Sequence, residues 1–144
     1  MEKCKIIIDT NLWISLLIGK RLLEMRMLCN SENILVYICE ELMAEFSRIA
    51  SSEKIRKYVQ EERIKETMNL MKASCIEVAI KNIAASSHLR DVNDLYLLSL
   101  ADTIQADYIL TGDKDLLTLQ LHNQTKIVTY NEFAMLGSQK VIYN

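Results

Sequence analysis

The sequence predicts an α/β fold whose central parallel sheet is covered by helices on both faces, and three observations predict it. Short β-branched runs alternate with stretches of helical apolar spacing along all 144 residues, the pattern of repeated strand–helix–strand units. Crossovers of that kind are right-handed, so the strands become parallel neighbours with helices packed on the sheet. The chain also has no proline, no internal repeat, no low-complexity stretch and no linker, so residues 1–144 read as one domain. Half of it is apolar and a quarter charged, which suits a chain long enough to bury its own core without disulfides or a structural metal.

Each element follows in order. Residues 5–8 are a short apolar run that stops at Asp9, and residues 11–18 read as the first turns of a helix. Gly19 offers a break, after which residues 21–29 resume helical spacing with Leu22, Met25 and Leu28 on one face. Residues 30–33 are a polar turn, 34–38 a second strand, and 40–50 a helix marked by Leu42, Phe46 and Ile49. Residues 53–73 are charged, with sparse apolar positions at Ile55, Tyr58, Val59, Ile64, Met68 and Met71. That spacing predicts one or two surface helices rather than core. Residues 75–80 return to strand character, and 81–93 form the one long loop. An apolar helix over 95–105, a strand over 108–111, a helix over 113–121, a strand over 126–129 and a short helix over 131–136 complete the pattern.

Composition removes several function classes. A net charge of −2 argues against a broad basic surface, because neutralising many phosphates takes many Lys and Arg; contact with nucleic acid must be local. Cys4, Cys29, Cys39 and Cys75 lie scattered among apolar neighbours with no paired spacing, and His88 and His122 stand apart from them. Buried reduced thiols are expected, and a zinc site is not. The apolar run 12–18 is too short for a membrane span or a signal segment, so a cytoplasmic protein is expected. Trp13, among Leu12, Leu16 and Leu17, is expected in the core or a dimer interface.

In open parallel sheets ligands bind beyond the carboxyl ends of the strands. Three polar clusters stand there: Asp9-Thr10-Asn11, Asp91 to Asp94, and Thr111-Gly112-Asp113-Lys114-Asp115. Any one aspartate has a structural explanation, since Asp and Asn are preferred N-caps and carboxylates suit a first helical turn. Together they would gather like charges at one sheet edge, where they must repel, take up protons or hold a cation. Glu45 falls in mid-helix, one turn from Leu42 and Ile49, where capping does not apply; a solvent position or a pair with Arg48 is the alternative. Asp94 begins a helix in line with Leu98 and Ala101, on a side where an unpaired carboxylate is costly. Hard oxygen donors without His or Cys select Mg²⁺ or Mn²⁺, and such ions suit phosphodiester hydrolysis.

Four segments in this order, namely Ile6-Ile7-Ile8-Asp9-Thr10-Asn11, Glu41-Leu42-Met43-Ala44-Glu45-Phe46, Arg90-Asp91-Val92-Asn93-Asp94 through Ala101, and Ile109-Leu110-Thr111-Gly112-Asp113-Lys114-Asp115-Leu116, resemble the PIN domain. The resemblance covers residues 4–136 and is nearest to the toxin branch of bacterial toxin–antitoxin systems. It implies a PIN-like three-layer α/β/α fold and a Mg²⁺- or Mn²⁺-dependent endoribonuclease. The acidic quartet that would hold the metal falls on Asp9, Glu45, Asp94 and Asp113, with Asn11, Thr111, Asp115 and Asp91 in support. RNA as substrate, a cognate antitoxin and a homodimer formed through the apolar first helices around Trp13, Leu16, Leu17 and Leu22 follow from the same resemblance.

Arg48, Lys54, Arg56 and Lys57 are the densest basic group, and Lys114 adjoins Asp113. Arg48, Lys54 and Lys114 are therefore candidate RNA-backbone contacts, against the alternative of a solvated face paired with Glu53, Glu61 and Glu62. Two other classes compete: a PIN nuclease in RNA processing without an antitoxin, and a non-catalytic acidic-pocket module of the receiver type. The second lacks a clear aspartate after a third strand and a clear lysine after a later one. A phosphatase of the haloacid-dehalogenase type would want two aspartates separated by one residue, where this chain has Asp9-Thr10-Asn11.

Overall fold

Ile6, Ile7 and Ile8 are all fully buried. Successive residues of a strand point to opposite faces, so the first strand, β1 (Cys4–Ile8), is covered on both sides. The computed structural model describes residues 3–81 and 92–140, without the side chains of 92–94 and 137–140. After β1 come α1 (Thr10–Ile18), α2 (Leu22–Cys29), β2 (Ile34–Ile38), α3 (Glu40–Ala50), α4 (Glu53–Arg56), α5 (Glu61–Ser74) and β3 (Ile76–Glu77). Then follow α6 (Val92–Ile104), β4 (Tyr108–Leu110), α7 (Lys114–Leu119), β5 (Leu121–His122), β6 (Thr125–Val128) and α8 (Tyr130–Lys140).

The sheet order is β3-β2-β1-β4-β6-β5, which puts β1 and β4 at the centre. All pairs are parallel except β5 with β6. The chain steps from β1 outward to β3, then returns past β1 to β4 and β6. With right-handed crossovers that reversal assigns the helices of the two halves to opposite faces, giving the three α/β/α layers. On one side α1 packs against α2, α3 and α5. The reversal between β1 and β4 is also where a ligand crevice opens.

Several expectations change. The segment 53–73 does form two helices, but they are not confined to the surface: Ile55, Val59, Ile64, Leu70 and Met71 are buried because α5 packs against α1 and α2. The strand expected over 75–80 is reduced to Ile76–Glu77. The helix expected over 113–121 ends at Leu119, where Gln120 takes a positive φ of 61°, and the next two residues turn into β5, antiparallel to β6. His122 on that hairpin pairs with Asp102 of α6 at 3.1 Å. The loop expected over 81–93 falls mostly outside the described residues, and with it Asp91 and His88.

Trp13, Leu16 and Leu17 are buried inside the chain, so they cannot form the apolar dimer face expected of them. The exposed apolar side chains near that place are Ile18, Leu23 and Met27. None of the four cysteines forms a disulfide; Cys29 and Cys39 are buried, Cys4 and Cys75 partly so. The Cys29 and Cys75 sulfurs share a thiol hydrogen bond at 3.9 Å.

Candidate active site

The parallel register fixes which residues meet at the carboxyl edge. Ile8 pairs with Leu110, and the ladder runs one residue further: the Asp9 N–H donates to the Leu110 carbonyl at 2.9 Å and the Thr111 N–H to the Val128 carbonyl at 3.0 Å. Asp9 and Thr111 therefore leave the sheet side by side. The Thr111 hydroxyl donates to Asp9 Oδ2 at 2.7 Å, with Asp9 2% and Thr111 1% exposed. The Thr111 hydroxyl oxygen also accepts the Asp113 N–H at 3.0 Å. Asp113 in turn caps α7, its Oδ1 accepting the Asp115 N–H at 2.8 Å. Asp9 precedes α1 but makes no such side-chain cap; its carboxylate is turned to the neighbouring strand instead.

That placement has an electrostatic consequence. Burial pushes the Asp9 carboxyl above its ordinary value of 3.8, and the negative charges of Glu45 and Asp113 add to the rise. The Thr111 hydroxyl and the Asn11 backbone N–H favour the ionised form and oppose it. No cation among the described residues acts on Asp9. The carboxylates of Glu45 on α3 and of Asp113 before α7 thus both act on Asp9, just after β1.

Glu45, half-buried on α3, has the Tyr96 hydroxyl 3.4 Å from its Oε1, and the same hydroxyl lies 2.8 Å from Thr10 Oγ1. Tyr96 has no place in the sequence reading, and Thr10 enters it only as the middle of the Asp9-Thr10-Asn11 cluster. The available signal was a phenol inside the apolar run Leu95 to Leu98, since a buried Tyr needs a partner for its hydroxyl. The alternative pair of Glu45 with Arg48 is not formed: Arg48, Lys54 and Lys114 are exposed and none of them is in an ion pair among the described residues. Arg56 does pair with Glu61, at 3.5 Å.

Beside the carboxylates lies a cleft of about 230 Å³ lined by Asn11, Leu12, Ser15, Gly112 and Asp113. At roughly 30 Å³ per water it has room for a hydrated ion or a phosphate group. Asn11 and Asp113 are among its lining residues; Asp115 is exposed on α7, its backbone N–H engaged by Asp113. Asp94 stands in the first turn of α6, two residues before Tyr96, and its side chain lies outside the described residues, as does all of Asp91.

The donor chemistry suits a hard divalent cation: oxygen donors only, one of them buried, with like charges beside it and no cation among the described residues to balance them. Among the described residues, no three His, Cys, Asp or Glu side chains are grouped closely enough to hold an ion by themselves.

A family model described as PIN domain matches residues 5–115, a span that contains all eight expected metal-site and supporting residues. An uncharacterized protein of Methanocaldococcus jannaschii is 32% identical over 125 residues, covering 85% of this chain and 79% of the relative. A chain of the crystal structure of VapBC2 from Rickettsia felis bound to a DNA fragment from their promoter matches with a TM-score of 0.53 at 13% identity, over 85% of this chain and 96% of that one. The T. brucei RRP44 PIN domain matches with a TM-score of 0.50 at 16% identity, over 96% and 86%. At such identities the two structures show a shared fold.

Proposed function

The chain belongs to the PIN-domain family, a family of nucleases, and on that premise we propose that it is a Mg²⁺- or Mn²⁺-dependent endoribonuclease serving as the toxin of a toxin–antitoxin pair. One observation carries the reading: Asp9, at the carboxyl end of the central strand, is buried and bonded to Thr111 at 2.7 Å, and its proton affinity is raised by that burial and by the charges of Glu45 and Asp113. Asp9, Glu45, Asp94 and Asp113 would hold the ion. When bound, it would polarise a phosphate oxygen and lower the pKa of a bound water.

The protein's own groups do the rest. Thr111 favours the ionised form of Asp9 and aims it by its 2.7 Å hydrogen bond, and binds the Asp113 backbone with the same oxygen, so one hydroxyl sets two carboxylates. Asn11 and Ser15 line the cleft and offer donors to a phosphate or water. Asp115 and Asp91 would support the set. Arg48, Lys54 and Lys114, unpaired among the described residues, would meet RNA phosphates around it, a local attraction that a chain of net charge −2 needs.

A protein antitoxin would cover this edge, an arginine replacing the charge of the metal through a bidentate contact. A homodimer is part of the same reading, with Ile18, Leu23 and Met27 as its apolar contacts; a monomer mass by light scattering rejects it. No helix among the described residues is long and apolar enough to cross a membrane, and we place the protein in the cytoplasm with its RNA.

The deciding experiment incubates the pure protein with total RNA, with and without Mn²⁺, beside Asp94→Asn. Asn replaces Asp as a helix cap almost without loss, whereas a ligand's loss lowers cleavage on the order of 100-fold. A folded Asp94→Asn protein that cuts at the parent rate overturns the assignment of Asp94. Expression without the partner should arrest growth; metal-dependent cleavage with normal growth leaves a nuclease and removes the toxin.

A further inference from the structure

Tyr96 sits on α6 beside Leu97 and Leu98, both fully buried, yet its hydroxyl does not turn to water. It meets Thr10 Oγ1 at 2.8 Å and Glu45 Oε1 at 3.4 Å. Thr10 is itself fully buried and is the residue directly after Asp9. One phenol therefore joins the start of α1, the middle of α3 and the first half of α6, the elements that carry Asp9, Glu45 and Asp94.

The direction of these bonds follows from the donors available. An ionised carboxylate only accepts, and a phenol has a single proton, so Tyr96 donates to Glu45 and Thr10 donates to the Tyr96 oxygen. The 3.4 Å contact is long for an O–H···O bond, which is best near 2.7–2.8 Å. The ring oxygen is fixed by Thr10, so the adjustable end is the Glu45 carboxylate, and a small rotation of it closes the gap. Such contacts commonly tighten when the ligand arrives.

Glu45 needs a director. It is a long side chain in mid-helix, half-exposed and in no ion pair among the described residues. Left alone it would spread over several rotamers, and holding one costs entropy. A rigid aromatic ring packed against the core is a fixed point from which to select that rotamer.

We infer that Tyr96 is a positioning residue: its hydroxyl, aimed by Thr10, holds the Glu45 carboxylate on the Asp9 side of the cleft, in the orientation that a divalent cation shared by the two requires. This rests on the nuclease reading above. The competing account is that Thr10 and Tyr96 merely satisfy each other's buried hydroxyls, with no effect on Glu45.

Calorimetric titration with Mn²⁺ separates the two, using the full chain, Tyr96→Phe, Glu45→Gln and the double variant. Tyr96→Phe keeps the buried ring and should stay folded, melting near the parent. It should weaken Mn²⁺ binding about 10-fold, at the low end of the 10- to 100-fold typical of losing a residue that orients a ligand. RNA cleavage should fall alike in kcat, with KM unchanged. In the Glu45→Gln background the Tyr96→Phe change should cost little more, because the phenol acts through that carboxylate. Thr10→Val should give a smaller loss in the same direction. A folded Tyr96→Phe protein with parental Mn²⁺ affinity, or losses that simply add in the double variant, overturns the inference and leaves the nuclease reading in place. A parent chain that neither binds Mn²⁺ nor cleaves RNA overturns both.

Discussion

Two strand-to-helix junctions in this chain share a local grammar and part company in three dimensions. Each places an aspartate between the end of a central strand and the start of a helix, Asp9 before α1 and Asp113 before α7. Asp113 does what its position suggests and caps its own helix at 2.8 Å, half-exposed. Asp9 makes no cap hydrogen bond of that geometry to α1, though the Asn11 N–H acts on its carboxylate; it is buried, bonded to Thr111 across the sheet, and raised in proton affinity by burial first and neighbouring charges second. A half-exposed aspartate that caps its own helix has a structural use even in a site, whereas one buried among like charges carries a cost that its hydrogen bonds do not fully offset. The second is the stronger mark of function.

The largest effect that would sharpen this contrast is expected for Asp9→Asn. It preserves the hydrogen bond from Thr111 and removes the charge, so RNA cleavage with Mn²⁺ should fall on the order of 10²- to 10³-fold while the folded state gains stability. Cleavage near the parent rate, measured on the same RNA, would remove Asp9 from the chemistry.

Asp113→Asn tests the other junction. The cap survives, so stability should stay within about 0.5 kcal/mol, while cleavage falls on the order of 100-fold if Asp113 also serves the metal. Unchanged cleavage would show that Asp113 is a cap and nothing more, and would widen the contrast with Asp9. Asp113→Ala, by comparison, loses the cap as well, costing about 1 kcal/mol in chemical denaturation.

Thr111→Val removes the hydroxyl that links the junctions, leaving buried Asp9 short of a donor. A destabilisation of about 1–3 kcal/mol and a loss of cleavage of about 10-fold are expected. Wild-type values in both assays would break the link between the two turns.

Asp9 also gives a pH signature in metal-free buffer. Its folded-state value is raised above 3.8, so the unfolded chain loses this proton first. The stability Asp9 contributes is full below pH 3.8 and is lost as pH rises through the raised value. Denaturation midpoints of the parent should therefore fall relative to those of Asp9→Asn as pH climbs through that window; parallel curves would contradict the burial term. The smallest effect belongs to Asp115→Asn, an exposed side chain whose backbone N–H alone is engaged, with a change under about 0.5 kcal/mol.

The sequence by itself determined the layers and most of the strands. A run such as Ile6-Ile7-Ile8 has few alternatives to a doubly covered strand, and Leu42, Phe46 and Ile49 mark one helical face wherever the helix is packed. The order of acidic residues after strand ends was legible for the same reason, since the parallel sheet places every such residue at one edge. Tertiary structure decided what local pattern does not encode. The sparse apolar positions of 53–73 became core only because α5 found α1 and α2 to pack against, and Trp13 went inward by the same packing. The helix after Asp113 stopped at Leu119 because the edge of the sheet offered β6 a short antiparallel partner. The meeting of Asp9 with Thr111, and of Thr10 and Glu45 with Tyr96, depended on strand register and on the docking of α3 and α6. These contacts join residues far apart in the chain, and no local propensity carries information about such distances.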